Sequence, residues 1–249
     1  MFPRYHHGVA LRLRPAVDGR TDSVTRRTRW ATVLAIVSAL VFVVLLVAVL
    51  THAAWLATAD AAILDPLHSY GLDHRGWVRG WKIFCDVFHP GVFRVVGAIC
   101  IVVALFRRQF RVALFLTLSV EASGLLVAAL KIAVRRPRPS FDLAYEPSWS
   151  FPSGHALGVM TGVLALTIVA VQMLPGAAHH SWRTPVIVAG AVIVLGIGVG
   201  RVVLNVHNPS DVLAGWALGY LWVLACLPVL SRESIRPAAG TPAAHGSAP

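Results

Sequence analysis

Apolar stretches of bilayer length alternate along this chain with short polar punctuation. Residues 31–50 run about twenty residues without a charge, enough to cross a bilayer as a helix. A second apolar run opens at His89-Pro90 and stops at Arg107-Arg108. It is short, and Arg94 near its start must snorkel towards the outer end. Residues 112–130 form a third run with Glu121 near its midpoint, and 156–174 a fourth, ended by Pro175-Gly176. Pro185 suits the first turn of a fifth span reaching about residue 204. Asn208-Pro209 suit the N-cap and first turn of a sixth, running to about residue 230. The pattern predicts an all-α polytopic membrane protein: six transmembrane helices in a bundle, residues 30–230.

The remainder is polar. Residues 1–29, rich in arginine, read as a disordered basic tail, and 231–249, rich in Ala and Pro, as a second. Residues 51–90 mix Asp60, Asp65, Asp73 and Asp86 with aromatics and read as an extramembrane loop with short interfacial helices. A signal peptide is the alternative for the first run, because Ala57-Thr58-Ala59 resembles a cleavage site and Arg26-Arg27 a twin-arginine pair. The run exceeds the roughly 7–15 residues of a signal core, which favours a retained span. Gly196/Gly200 and Gly215/Gly219 repeat a small-xxx-small spacing that suits close helix packing. Trp30, Trp55, Trp149 and Trp182 fall near span ends, as an aromatic belt would.

Composition agrees. The chain is 57% hydrophobic and 13% charged, where a soluble domain carries about 25% charged residues. Lys and Arg number 22 against 11 acidic residues, a net charge of +11. In this setting the excess reads as topology and anionic-lipid contact. No basic-aromatic recognition module points to nucleic acid. The 3 cysteines, with no local pairing, give neither a disulfide framework nor a zinc site.

Four polar clusters stand beside spans. Lys131 and Arg138-Pro139 lie in KIAVRRPRP after the third; Pro152-Ser153-Gly154-His155 precede the fourth. Arg201 lies near the end of the fifth, and His207 and Asp211 flank the start of the sixth. Spans three and four share one loop and spans five and six another, so parity places both loops on the same membrane face. All four clusters can therefore meet in one site.

The residue types suit phosphate. Lys131, Arg138 and Arg201 supply fixed positive charge, and the planar arginine fork binds phosphate oxygens bidentately. Ser153 can cap the fourth span while the Gly154 N–H faces an anion at the helix N-terminus. His207 with Asp211 resembles an oriented nucleophile, and His155 a proton donor to a leaving group. A histidine pair could instead bind zinc, but three basic residues around it disfavour a cation. Arg135 and Arg136, taken singly, read as topology signals. Arg201 sits among valines, where a charge is costly unless paired or wet. Glu121, mid-span, faces the bundle.

These residues resemble the signature of the membrane-bound type 2 phosphatidic acid phosphatases: K-x6-R-P, then P-S-G-H, then S-R-x5-H-x3-D. The chain supplies Lys131 to Arg138-Pro139, Pro152 to His155, and Arg201 to His207 to Asp211. It departs at Gly200, where the signature has Ser. The resemblance implies a phosphohistidine on His207, leaving-group protonation by His155, and phosphate binding by Lys131, Arg138, Ser153, Gly154 and Arg201. It implies hydrolysis of a lipid phosphate or diphosphate without metal or other cofactor: phosphatidic acid, phosphatidylglycerol phosphate or polyprenyl diphosphate. The alternative is a lipid-phosphate binding or transport protein without turnover; the acid and nucleophile that binding does not need disfavour it.

Charge sets the expected orientation. Arginines of the two tails and of the loops around Arg107–Arg111 and Arg183 number thirteen; the opposite face carries eight basic residues. Three of those eight are accounted for by phosphate binding. The excess, concentrated before the first span, predicts a cytoplasmic-membrane protein with both termini inside and the site outside. The run Arg135-Arg136-Arg138 is the counter-signal.

Overall fold

The structure, a computed structural model, describes residues 18–144, 146–173 and 179–230. The chain divides into two compact units, residues 1–37 and 38–249. The described helices are α1 (Asp18–Leu50), α2 (Ala54–Asp73), α3 (Arg75–Val87), α4 (Pro90–Phe106), α5 (Phe110–Leu116), α6 (Ser123–Val134), α7 (Gly154–Met173), α8 (His179–Val203) and α9 (Pro209–Cys226). A π-helical turn, Thr117–Glu121, joins α5 to α6.

Among the described residues, six helical segments are long and apolar enough to cross a membrane: Thr28–Leu50, Arg75–Phe106, Phe110–Val134, Gly154–Val171, Trp182–Val203 and Pro209–Leu230. Their outer faces carry large apolar side chains in the open, such as Ile99, Leu125 and Val192. Such surface is at home in lipid and not in water. The protein is a six-span helical membrane protein.

Three boundaries differ from expectation. Helix α1 begins at Asp18, well inside the stretch read as a disordered tail. Arginine is a good helix former, and a helix nucleated by the apolar run extends at little cost. Residues 1–17 and 231–249, the remaining tails, lie outside the described residues, as do Pro175-Gly176. Pro185 stands inside α8, not at its start, since the helix begins at His179. Residues 51–90 hold α2 and α3, of 20 and 13 residues, rather than a loop with short helices. Both pack on α8, and α2 also on α9.

Helix α7 is the centre of the second unit, packed by α9, α8 and α4. Its neighbours approach closely where glycines allow. A Cβ on Gly215 would lie 2.7 Å from the Ser153 carbonyl oxygen, and one on Gly219 3.1 Å from that of Leu157. Gly196 and Gly200 of α8 face α3, where a Cβ would meet Phe84 and Cys85 at 2.7 and 2.6 Å. The two glycine pairs are packing seams, as their spacing suggests.

Candidate active site

The expected clusters converge at one end of this bundle. Backbone bonds tie the loops together: Ser150 N–H to Arg136 O (2.9 Å), Ser153 N–H to Asp211 O (3.0 Å) and Leu143 N–H to Leu204 O (2.9 Å). A cavity of about 360 Å³ opens here, its wall including Lys131, Gly154, His155, His207, Glu146 and Ser148.

His207 precedes α9 and is 1% exposed. Its Nε2 faces Arg138 Nη1 at 3.3 Å. Its Nδ1 lies 3.6 Å from Asp211 Oδ2, longer than a hydrogen bond. The Ser150 hydroxyl sits between them, 3.4 Å from Nδ1, and donates to Asp211 Oδ2. Burial pushes the His207 imidazole down to about 4, against the pull of Asp211. The ring is therefore neutral at physiological pH, with a lone pair on Nε2 when Nδ1 carries the proton.

Asp211 has a second task that its spacing also permits. It is the third residue of α9, and its Oδ2 accepts the N–H of the N-cap residue Asn208 at 2.9 Å. This reciprocal cap fixes the start of the helix and the carboxylate together. Its Oδ1 accepts from Arg136 Nη1 at 2.6 Å.

Arg136, which reads as a topology signal in the sequence, is paired in the interior instead. Its other arm, Nη2, reaches Asp60 of α2 at 2.8 Å, and Nη1 also donates to Ser210 Oγ at 2.7 Å. Asp60 in turn accepts from Ser210 N–H and Oγ. Burial disfavours the Arg136 charge, but Asp211 and Asp60 outweigh it and raise its pKa. Arg135, read with it as a topology signal, ends α6 in a left-handed conformation (φ 51°), donating Nε to Ile132 O.

The basic residues are placed as follows. Lys131, in the last turn of α6, donates to Ser148 Oγ (2.9 Å) and Trp149 O (2.6 Å). Arg138, beside Nε2 of His207, donates to Ser148 O, Ser148 Oγ and Val206 O. Burial lowers its pKa, with Glu146 opposing. Arg201 is 5% exposed and donates Nη2 to Glu146 Oε2 at 2.6 Å, while its buried Nε has no partner. Glu146, invisible as a motif, would be raised by burial; Arg201, then Arg138, hold it below the usual range. Its Oε1 also lies 4.0 Å from Arg138 Nη2.

Ser153 is fully buried. Its Oγ accepts from Ala156 N–H at 3.4 Å, the cap expected for α7, and its own N–H is engaged by Asp211 O. Gly154, first residue of α7, borders the cavity, and His155 follows it there. His89, also missed, meets the His155 ring edge-to-face at 4.7 Å; its Nδ1 accepts from Gly91 N–H and caps α4. At Gly200, the site of the departure from the signature, Cys85 and Trp81 fill the place of a side chain.

A six-span bundle thus carries, at one end, two histidines and a buried carboxylate inside a ring of basic side chains. The chain belongs to the PAP2 superfamily, whose family model matches residues 112–234. It is 31% identical over 186 residues to phosphatidylglycerophosphatase B of Bacillus subtilis (strain 168), covering 73% of this chain and 87% of that one. It is 30% identical over 122 residues to undecaprenyl-diphosphatase of Sulfolobus acidocaldarius, covering 46% and 53% respectively. Among solved structures it resembles the transmembrane PAP2-type phosphatidylglycerolphosphate phosphatase of Bacillus subtilis. The TM-score is 0.68 at 27% identity, over 78% of this chain and 94% of that one.

Proposed function

We propose that the protein is an integral membrane lipid phosphatase that hydrolyses a lipid phosphate or diphosphate through a phosphohistidine on His207. The observation that carries this reading is the two-sided setting of the His207 ring. Nδ1 is turned to Asp211 and Ser150 and Nε2 to Arg138, and the residue lines the cavity it shares with His155.

In the first half-reaction the Nε2 lone pair attacks phosphorus, forming an N–P bond as the P–O bond to the lipid breaks. His155 gives its proton to the departing oxygen. Asp211 and Ser150 stabilise the charge that develops on the imidazole. In the second half, His155 takes a proton from water, whose oxygen attacks phosphorus. The N–P bond breaks, returning free His207 and inorganic phosphate. Lys131, Arg138, Arg201, the Ser153 hydroxyl and the Gly154 N–H neutralise the phosphoryl oxygens throughout. The phosphate displaces Glu146 from Arg201 and draws Arg138 off Nε2. The basic side chains take the part played elsewhere by metal ions, so hydrolysis is metal-independent.

The named activities of the two relatives support a phosphatase or diphosphatase of this type. Phosphate release by purified protein from phosphatidic acid, phosphatidylglycerol phosphate and polyprenyl diphosphate, in excess chelator, tests the reading. Release from at least one supports it. Tight binding without release would instead support a lipid-phosphate carrier, and loss of release on chelation, restored by metal, would overturn metal independence.

The domain plan, residues 30–230 with tails on either side, and the orientation belong to the same proposal: a cytoplasmic-membrane enzyme, both termini inside and the site outside. The basic excess on the tails and intervening loops supports it. In a cysteine-free background, a cysteine at Ser140 should react with an impermeant thiol reagent on intact cells and one at Ser247 only after lysis. The reverse pattern overturns the topology.

A further inference from the structure

The catalytic cavity extends past the phosphate cradle along α4 and α6, and its wall there includes Arg94, Gly124 and Gly158. Arg94 is exposed, and its side chain runs from α4 to α6. The guanidinium lies against Gly124, where a Cβ would collide with its Nη2 and come within 3.1 Å of Nη1. Gly124 precedes Lys131 by seven residues on α6, a rise of about 10 Å. The start of α4 confirms the depth: Pro90 packs on Gly158 and Phe93 on Gly162, one and two turns into α7 from His155. Arg94 thus stands on the bilayer side of the cradle, where the rest of a lipid substrate must run.

Among the described residues, no hydrogen bond or ion pair reaches this guanidinium. The carboxylate nearest to it along the same two helices, Glu121, lies one turn deeper. It faces Gly97, where a Cβ would stand 3.1 Å from Oε1, and that oxygen has no partner either. An arginine in a spanning segment is expensive unless it is paired or wet. A guanidinium that faces a substrate cavity is a site for an anion.

We propose that Arg94 binds a second anionic group of the substrate and selects for lipids that carry one at a distance from the scissile phosphate. This rests on the phosphatase reading. The span of about 10 Å between the levels of Lys131 and Gly124 sets the class. Two phosphates joined through one oxygen lie too close together to reach both cations. A phosphomonoester joined by a three-carbon polyol to a phosphodiester fits, with the monoester in the cradle, the diester at Arg94 and the acyl chains beyond it. A lipid with a single phosphate leaves Arg94 unused.

The test compares kcat/KM of purified protein in mixed micelles on phosphatidylglycerol phosphate, phosphatidic acid and polyprenyl diphosphate. Arg94→Gln should lower the ratio for phosphatidylglycerol phosphate over phosphatidic acid about 10-fold to 100-fold, the scale of a charged hydrogen bond. Arg94→Lys should recover part of it. Gly124→Ala, which keeps the charge but displaces it, should shift the ratio in the same direction and decides the matter if Arg94→Gln does not fold. Equal proportional losses on all three lipids overturn the proposal, as does a loss confined to polyprenyl diphosphate. Wild-type protein inactive on every lipid overturns the phosphatase reading and this proposal together; activity with an unchanged ratio overturns the proposal alone.

Discussion

Arg136 and Asp211 meet in the interior at 2.6 Å, the guanidinium on one carboxylate oxygen while the other oxygen serves the His207 side and the α9 cap. The same arginine reaches Asp60 at 2.8 Å, so one cation offsets two buried carboxylates from α2 and α9. Arg136→Ala would leave both without it. Breaking a buried pair costs about 3–5 kcal/mol, which should appear as a large fall in Tm in detergent. Arg136→Lys should rescue little, because an ammonium cannot serve two carboxylates with a planar fork. A Tm within a degree or two of wild type would contradict this role.

Glu146 is bonded to Arg201 at 2.6 Å, so under the proposed mechanism it competes with substrate for that arginine. Glu146→Gln should weaken that hold and lower the inhibition constant for inorganic phosphate about threefold to tenfold, since an ion pair of this partial exposure is modest. Weaker phosphate inhibition would mean that Glu146 positions the arginine instead.

The pH dependence should carry the mark of a buried neutral histidine. With His207 held near 4 by burial, below its free value of about 6.5, the nucleophile stays unprotonated down to mildly acid pH. The acidic limb of kcat set by this group should lie near pH 4. Stability carries the same sign. The unfolded chain binds the proton first as pH falls, so the contribution of neutral His207 is full above about 6.5 and declines towards 4. A kcat limb at 6.5 that moves on Asp211→Asn would contradict the assignment of this ring as deeply buried.

How much of this was legible beforehand follows from range. The spans were readable because apolar runs are continuous, and the grouping of Lys131, Arg138, Ser153, Gly154, Arg201, His207 and Asp211 because they flank spans at fixed local spacing. Asp60 was not, since it meets Ser210 across 150 positions from a segment that read as a loop. Arg136 looked like a topology signal because only its partners distinguish it from Arg135. Pro185 suggested a helix start, but an internal proline removes one backbone bond and α8 continues past it. Arg94 showed its depth but not the direction of its head, which depends on Gly124.

Gly200 offers a test of packing at the one departure from the family signature. Gly200→Ser places a Cβ 2.6 Å from Cys85 Sγ, and overpacking of this kind costs about 1–3 kcal/mol. Thermal denaturation should show the loss, and Cys85→Ala in the same chain should recover much of it. A neutral Gly200→Ser would show that α3 yields freely at this contact.

A covalent bond to His207 separates the proposed hydrolysis from mere binding. Protein mixed with lipid labelled in its scissile phosphate and quenched within milliseconds should carry acid-labile, base-stable label. Peptide mapping should place it on His207. His207→Ala should keep its Tm and its helical content but take up no label, while His155→Ala should still be labelled when the leaving group is a good one. Label that survives His207→Ala, or full turnover by that variant, would contradict the account.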